Sequence, residues 1–165
     1  MNSVLRVAGL IISIVILTAC SHKTMDLPNK TPAEIESEVH QAFLGLVEAS
    51  KALDADRYFA YFDQEKFTGL NADGTVWRSM NDFKDLVAPG FATVKSINSL
   101  EFSKVKVTEI NPTTAILINE FKQRFELKNG EVVEQAGAGT QVWSKTSGVW
   151  KLVSVSASDK PKVVK

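Results

Sequence analysis

The second half of the chain alternates apolar and polar residues with a period of two, the pattern of strands that bury one face. The segments with this pattern are residues 100–110, 114–127, 131–145 and 149–158. Asn111-Pro112 and Asn129-Gly130 separate the first three segments and are typical of tight turns. The alternation in the first segment changes phase between Phe102 and Val105, which predicts a bulge near Ser103-Lys104. Strands joined in sequence by short turns predict an antiparallel sheet.

The first half of the chain carries helix signals instead. Thr31-Pro32-Ala33-Glu34 matches a capping box with proline at the first helical position. Apolar residues then recur at spacings of three and four: Ile35, Val39, Ala42, Phe43, Leu46, Val47 and Leu53. This stripe predicts an amphipathic helix that buries one side.

Two further helices are predicted before the strands. The shorter one follows Asp54 and carries four aromatic residues: Tyr58, Phe59, Tyr61 and Phe62. Asp73-Gly74 lies between apolar pairs and predicts a small hairpin. The third helix begins after Ser79, and Pro89-Gly90 should break or kink it. Helices followed by a run of long strands indicate an α+β fold, with three N-terminal helices packed on a curved antiparallel sheet.

Residues 1–19 have the pattern of a secretory signal peptide, since Arg6 precedes the apolar run 7–17. That run is shorter than the roughly 20 residues of a transmembrane helix. It ends in Leu17-Thr18-Ala19-Cys20, which resembles the bacterial lipobox. The resemblance implies cleavage before Cys20 and a lipid anchor on Cys20, which places the protein in the cell envelope. A plain signal peptide with a chance cysteine, or an uncleaved anchor, is the alternative.

The rest of the chain divides around this anchor. Residues 20–30 comprise Cys20 and a polar, proline-containing tether, residues 31–158 form the domain, and residues 159–165 form a frayed tail. Ser21 follows the cysteine where an Asp tends to retain lipoproteins at the inner membrane. In a cell with two membranes, Ser21 therefore suggests the outer membrane, facing the periplasm.

Charge and composition exclude several function classes. The chain has 19 Lys and Arg residues against 19 Asp and Glu residues, so it lacks the basic excess that nucleic-acid binding requires. One cysteine and two histidines offer no metal-ligand spacing. The small residues Ala136 to Gly139 lie within a predicted strand rather than in a phosphate-binding loop. No metal or other cofactor is predicted.

The order of elements resembles a known family. A capped helix, a short aromatic helix, an Asp-Gly hairpin, a third helix and a long meander are similar to the nuclear transport factor 2-like superfamily. The ending Gln141-Val142-Trp143-Ser144-Lys145, followed by Gly148-Val149-Trp150-Lys151-Leu152-Val153, resembles the final hairpin of its SnoaL-like branch. The resemblance implies a cone-shaped domain that encloses a pocket and often forms a homodimer. It also implies a choice between isomerases, cyclases or dehydratases and domains that only bind or assemble.

Candidate site residues follow from this expectation. Tyr58, Tyr61, Trp77 and Trp143 are candidate pocket-wall residues, although aromatic residues at such positions also form ordinary cores. Alternation places Asn119 and Gln123 on the inward face of their strand, where they could orient a polar ligand or bond neighbouring strands.

An isomerase of this kind needs a pocket carboxylate as general base. Asp63 and Glu120 are the weak candidates, and each could equally cap a helix end or lie on a solvated face. The first interpretation is therefore a lipid-anchored domain that binds a small apolar ligand or an envelope protein without catalysis. The alternatives are a SnoaL-like enzyme that uses a pocket carboxylate, and a purely structural envelope subunit.

Overall fold

The computed structural model describes residues 30–145 and 148–161. Cys20, the signal peptide and most of the tether lie outside the described residues, as do residues 162–165, so the lipid anchor stays a prediction. The described helices are α1 (Pro32–Lys51), α2 (Ala55–Phe59) and α3 (Met80–Thr93). The strands are β1 (Thr68–Leu70), β2 (Val76–Trp77), β3 (Val94–Asn111), β4 (Thr114–Leu127), β5 (Val132–Ser144) and β6 (Lys151–Asp159). Within these residues, no helix is both long and apolar enough to cross a bilayer.

The strands form one curved sheet in the order β2-β1-β6-β5-β4-β3. The predicted α+β fold, with helices packed on a curved sheet, is confirmed. One pairing differs from the expected antiparallel arrangement, because β1 runs parallel to β6, with Gly69 opposite Val155. The sheet is therefore mixed. The β1–β2 hairpin sits beside the last strand of the meander and extends the sheet at that edge.

Strand β3 contains the predicted bulge. Its register with β4 shifts between Ser103 and Lys106, and Lys104 between them has φ of 52°. The strand begins at Val94, however, earlier than the predicted start at Leu100. Register irregularities near Val94 and Ile97 interrupt the alternation there, so the sequence period is lost although pairing with β4 continues.

Helix α1 begins as its sequence predicts. Thr31 N–H donates to Glu34 Oε2 at 2.8 Å, and Glu34 N–H donates to Thr31 Oγ1 at 3.3 Å, which completes the capping box. The buried residues of the helix are Ile35, Val39, Phe43, Leu46, Val47 and Ala49. They pack against β3 and β4, so α1 covers the concave face at this end of the strand order.

Of the predicted break or kink at Pro89-Gly90, the break is wrong, because α3 continues through Pro89 to Thr93; the kink stays a prediction. Proline removes one N–H donor from the helix, and the carbonyl that loses this donor belongs to Asp85. Asp85 and Pro89 are both exposed, so water can satisfy that carbonyl. The Val94 N–H donates to the Gly90 carbonyl and closes the last turn before β3.

The core lies between the helices and the concave face of the sheet. Its most fully buried large side chains are Trp143, Phe43, Phe67, Ile35, Leu117, Leu152 and Val39. Phe62, Phe67 and Phe83 form an aromatic cluster between α2 and α3, with ring centroids 4.8–5.0 Å apart. This packing fixes how the helices sit over the candidate site residues.

Candidate functional site

The concave face of β4 and β5 holds the buried polar groups of the domain. Ala115, Leu117 and Asn119 are buried on this face, as the alternation of β4 predicts. Among the described residues, the buried polar side chains are Asn119, 5% exposed, and Gln141, 8% exposed. Both are amides, which do not titrate. The interior of the described domain therefore contains hydrogen-bonding groups but no buried charge.

Asn119 has an unused acceptor. Its Oδ1 is buried and has no hydrogen-bond partner in the described part of the chain. Gly139 lies opposite it on β5, and a Cβ at that position would be 3.7 Å from Oδ1. Because Gly139 has no side chain, β5 places no side chain of its own against this oxygen. Burying such an oxygen unpaired costs about 1–3 kcal/mol, so a donor supplied by a bound molecule would recover that free energy.

Beside Asn119, the sheet is lined by glycine and aromatic residues. Gly137 faces Phe121, and a Cβ at position 137 would meet the Ser158 backbone carbonyl and lie 2.7 Å from the Phe121 ring. Glycine is required there because a neighbouring backbone and an aromatic ring both approach it too closely for a side chain. Gln141, which sequence analysis did not single out, accepts a hydrogen bond from Trp143 Nε1 at 3.0 Å. The sequence signal for Gln141 was its position two residues before Trp143, which puts both side chains on the same face of an alternating strand.

The remaining predicted pocket residues are spread over several places. Gln123 lies at the open end of the sheet, where its Nε2 donates to Gln135 Oε1 at 2.6 Å on the neighbouring strand. Trp77 is buried against Phe83, and its indole N–H has no partner among the described residues. Tyr61 packs against Gly45 of α1, away from the concave face. The structure thus keeps Asn119 and Trp143 on the concave face and separates them from these three.

Tyr58 belongs to the aromatic cluster. Its ring centroid lies 5.1 Å from that of Phe62 and 5.1 Å from that of Phe91. Burial raises the pKa of the Tyr58 hydroxyl further above neutral pH. The hydroxyl can therefore offer a donor but not a negative charge.

Neither predicted carboxylate lies in the core. Asp63 Oδ1 accepts the backbone N–H groups of Glu65 and Lys66 at 3.0 and 2.9 Å, which caps a turn. Glu120 projects from the convex face and pairs with Lys104 at 2.8 Å and Lys160 at 3.3 Å. Hydrogen bonds from these two lysines lower the pKa of Glu120. Each carboxylate therefore has a structural partner at the surface.

A second polar cluster was not foreseen from the sequence. Glu38 Oε2 accepts Lys145 Nζ at 2.7 Å and Trp150 Nε1 at 2.9 Å, while Oε1 accepts Lys30 Nζ. Hydrogen bonds from Lys145, Lys30 and Trp150 lower the pKa of Glu38 to about 2. Glu38 and Lys145 are 107 positions apart, so no local pattern could pair them. No group of three or more possible metal ligands occurs in residues 30–145 and 148–161.

Comparison with known families agrees with this architecture. Residues 39–161 match the family model of the SnoaL-like domain. The chain belongs to the SnoaL-like domain family. A sequence search of curated proteins gave no match.

Solved structures share the fold of this SnoaL-like domain at low identity. A candidate dehydratase of the nuclear transport factor 2-like family from Streptomyces avermitilis is 20% identical, with a TM-score of 0.68, over 80% of this chain and 100% of that chain. A candidate aromatic ring hydroxylase from Novosphingobium aromaticivorans is 16% identical, with a TM-score of 0.71, over 81% of this chain and 94% of that chain. The association domain of C. elegans CaMKII is 19% identical, with a TM-score of 0.59, over 74% of this chain and 93% of that chain. These likenesses show the fold alone.

The buried polar groups of the described residues in this SnoaL-like domain offer hydrogen bonds. Asn119 offers an acceptor and the Tyr58 and Trp77 groups offer donors, but none of them is a base near neutral pH. The arrangement suits recognition of a mostly apolar molecule that carries a hydroxyl or N–H group.

Proposed function

We propose that the protein is a lipid-anchored SnoaL-like domain of the cell envelope that binds a small, largely apolar ligand without catalysis. The observation that carries the proposal is the free acceptor of Asn119, buried on the concave face above Gly139. A ligand donor that reaches Oδ1 would satisfy an atom that otherwise lowers stability. Leu117 and Phe121, on the same face of β4, would supply apolar contacts.

The absence of catalysis is inferred from the same chemistry. Proton abstraction needs a titratable base within hydrogen-bond reach of the substrate. The buried polar side chains of the described residues are amides, and both predicted carboxylates are engaged at the surface. The alternative, an isomerase, cyclase or dehydratase with a pocket carboxylate, is supported by the fold likeness and by Asp63, which lines a surface pocket of about 880 Å³ between α2 and α3. Asp63 Oδ1 is already occupied there by two backbone N–H groups, which weighs against its use as a base.

The anchor completes the proposal. Leu17-Thr18-Ala19-Cys20 predicts lipid on Cys20, and the first described residue, Lys30, follows it closely in sequence. Several acyl chains on one cysteine give stable membrane attachment, whereas a single chain gives marginal binding. The domain would then meet ligands or envelope proteins at the membrane surface. In a two-membrane cell this surface would be the periplasmic face of the outer membrane.

We also propose that the domain forms a homodimer through the convex face of the sheet. The outward residues in the middle of β5 and β6 are uncharged: Ala138, Thr140, Val142, Ser154 and Ser156. Ile118 beside them is 45% exposed. These uncharged and partly apolar residues, bordered by the ion pairs of Glu120 with Lys104 and Lys160, suit a self-complementary contact around a two-fold axis.

The first experiment is native mass spectrometry of residues 21–165, purified gently from an envelope extract. The expected result is a mass excess that disappears on denaturation, because the retained molecule is noncovalent. Asn119→Leu should lose the adduct, whereas Asn98→Leu, at an exposed position of β3, should keep it. An adduct-free wild-type spectrum would contradict the ligand proposal and favour a protein partner instead.

A further inference from the structure

A groove on the outer side of α1 is separate from the concave face. It lies between α1, α2 and the ends of β5 and β6, with a volume of about 680 Å³. Its apolar lining residues are Ala42, Ala60, Tyr61, Val149 and Trp150. Val149 is 59% exposed, so an apolar surface faces solvent here. Small-molecule sites typically measure about 300–1,000 Å³ and are mostly apolar, and this groove meets both conditions.

The groove is lined by more positive than negative side chains. Its lining includes the cations Arg57, Lys145 and Lys151 against the single carboxylate of Glu38. Glu38 is already bonded by Lys145 and by Trp150, and also by Lys30. The carboxylate therefore has little capacity left to attract a ligand cation. The excess of positive charge favours an anion at the groove wall.

Arg57 is the cation best able to bind that anion. Its backbone N–H donates to Oδ1 of Asp54, the residue that caps α2, but its guanidinium group has no hydrogen bond or ion pair within the described part of the chain. By contrast, Lys151 Nζ donates to the Ala60 carbonyl and Lys145 Nζ is held by Glu38. A free guanidinium can bind a carboxylate through two parallel hydrogen bonds.

Glu38 positions the apolar part of the groove. Its bond to Trp150 Nε1 fixes the indole against α1, and Lys145 Nζ lies 5.7 Å from the centre of the Trp150 rings. The bonds tie the ends of β5 and β6 to the helix, so the groove wall is held in place before any molecule binds.

We propose that this groove is a second binding site, which takes a small anionic amphiphile of the carboxylate type. The acidic group binds Arg57, and the hydrocarbon part lies on Tyr61, Val149 and Trp150. The site does not depend on Asn119 or on the concave face. Charge complementarity at Arg57 together with exposed apolar surface at Val149 selects an amphiphile over a simple anion.

Calorimetry with sodium decanoate and decanol tests the proposal. The sample is the mature chain from position 20 with Cys20→Ser, which carries no lipid. Decanoate should bind at least about tenfold more tightly than decanol, because only decanoate offers a carboxylate to Arg57. Arg57→Gln should weaken decanoate binding about tenfold and leave decanol binding unchanged. Lys66→Gln removes the same charge at an exposed position outside the groove and should change neither.

The same titrations can overturn the proposal. Equal affinities for decanoate and decanol, equal effects of Arg57→Gln and Lys66→Gln, or no decanoate binding up to about 1 mM would each count against it. Asn119→Leu separates this site from the proposed interior one. If that substitution abolishes decanoate binding while Arg57→Gln preserves it, the amphiphile binds on the concave face and the groove is not a site.

Discussion

The Tyr61 side chain occupies the space that a Cβ on Gly45 would need. The ring carbon bearing the Tyr61 hydroxyl lies 2.8 Å from that position. Glycine inside a helix costs about 1 kcal/mol relative to alanine, yet here it allows the turn after α2 to approach α1 closely. Tyr61 also lines the groove between α1, α2 and the ends of β5 and β6, so it serves both this close packing and the proposed amphiphile site.

Gly45→Ala should therefore destabilise the domain despite the better helix propensity of alanine. We expect a loss of about 1–2 kcal/mol in the free energy of unfolding, because the Tyr61 ring must move. In a Tyr61→Ala background the same change should stabilise by about 0.5–1 kcal/mol. Urea unfolding of the four proteins of this double-mutant cycle measures the coupling. Equal effects of Gly45→Ala in both backgrounds would show that the ring yields without cost.

Asn119→Asp should make stability depend on pH. The introduced carboxyl would be buried, so desolvation would raise its pKa above the unfolded value of about 3.9. The destabilisation is then small below the unfolded-state pKa and grows as pH rises from there to the folded-state pKa. We expect a melting temperature close to wild type at pH 4 and well below it at pH 8. Asn98→Asp, at an exposed position, is the control and should show no such trend.

The ionised Glu38 carboxylate should stabilise the domain, and this stabilisation should be lost at low pH, the opposite pH trend to that of Asn119→Asp. Its folded-state pKa of about 2 lies below the ordinary value of 4.5, so its contribution is present above pH 4.5 and is lost as pH falls towards 2. Because Glu38 is partly exposed, we expect the free energy of unfolding to fall by only about 1 kcal/mol between pH 6 and pH 3. Glu38→Gln should remove that part of the pH dependence, and Glu48→Gln, at an exposed helix position, should retain it. Identical slopes for both variants would contradict the assignment.

Thr140→Arg should prevent dimerisation. It places a charge among the uncharged outward residues of β5 and β6, where two copies would bring like charges together. Light scattering after size-exclusion chromatography should give a dimer mass for the wild type and a monomer mass for the variant. Thr75→Arg, in the exposed β1–β2 turn, should remain dimeric. A wild-type monomer at the same concentration would remove the dimer proposal.

Cys20→Ser should release the protein from the membrane. The substitution removes the thiol that the lipobox resemblance assigns to lipid attachment, and without acyl chains the domain has no anchor of comparable strength. Metabolic labelling with radioactive palmitate should mark the wild type and not the variant. Labelling of the variant, or membrane release of the wild type by high salt, would contradict the anchor.

Much of the fold could be predicted from short-range patterns. The capping box at Thr31, the stripe on α1 and the alternation of β4 each report how a few neighbouring residues distribute polar and apolar groups. The phase change after Phe102 likewise predicted the bulge at Lys104, since an extra residue in a strand moves all later side chains to the other face. These features depend on local backbone geometry, which the sequence states directly.

The sequence by itself determined which segments are helix and strand and which face of β4 turns inward. Only the tertiary structure decided that α3 continues past Pro89, that β1 runs parallel to β6, and that Glu38 meets Lys145. It also decided that Asn119 is left with an unpaired oxygen while Gln123 finds a partner across the strands. The physical reason is that a local pattern records burial and backbone preference. Which distant groups come within hydrogen-bond distance is set by how the packed elements meet.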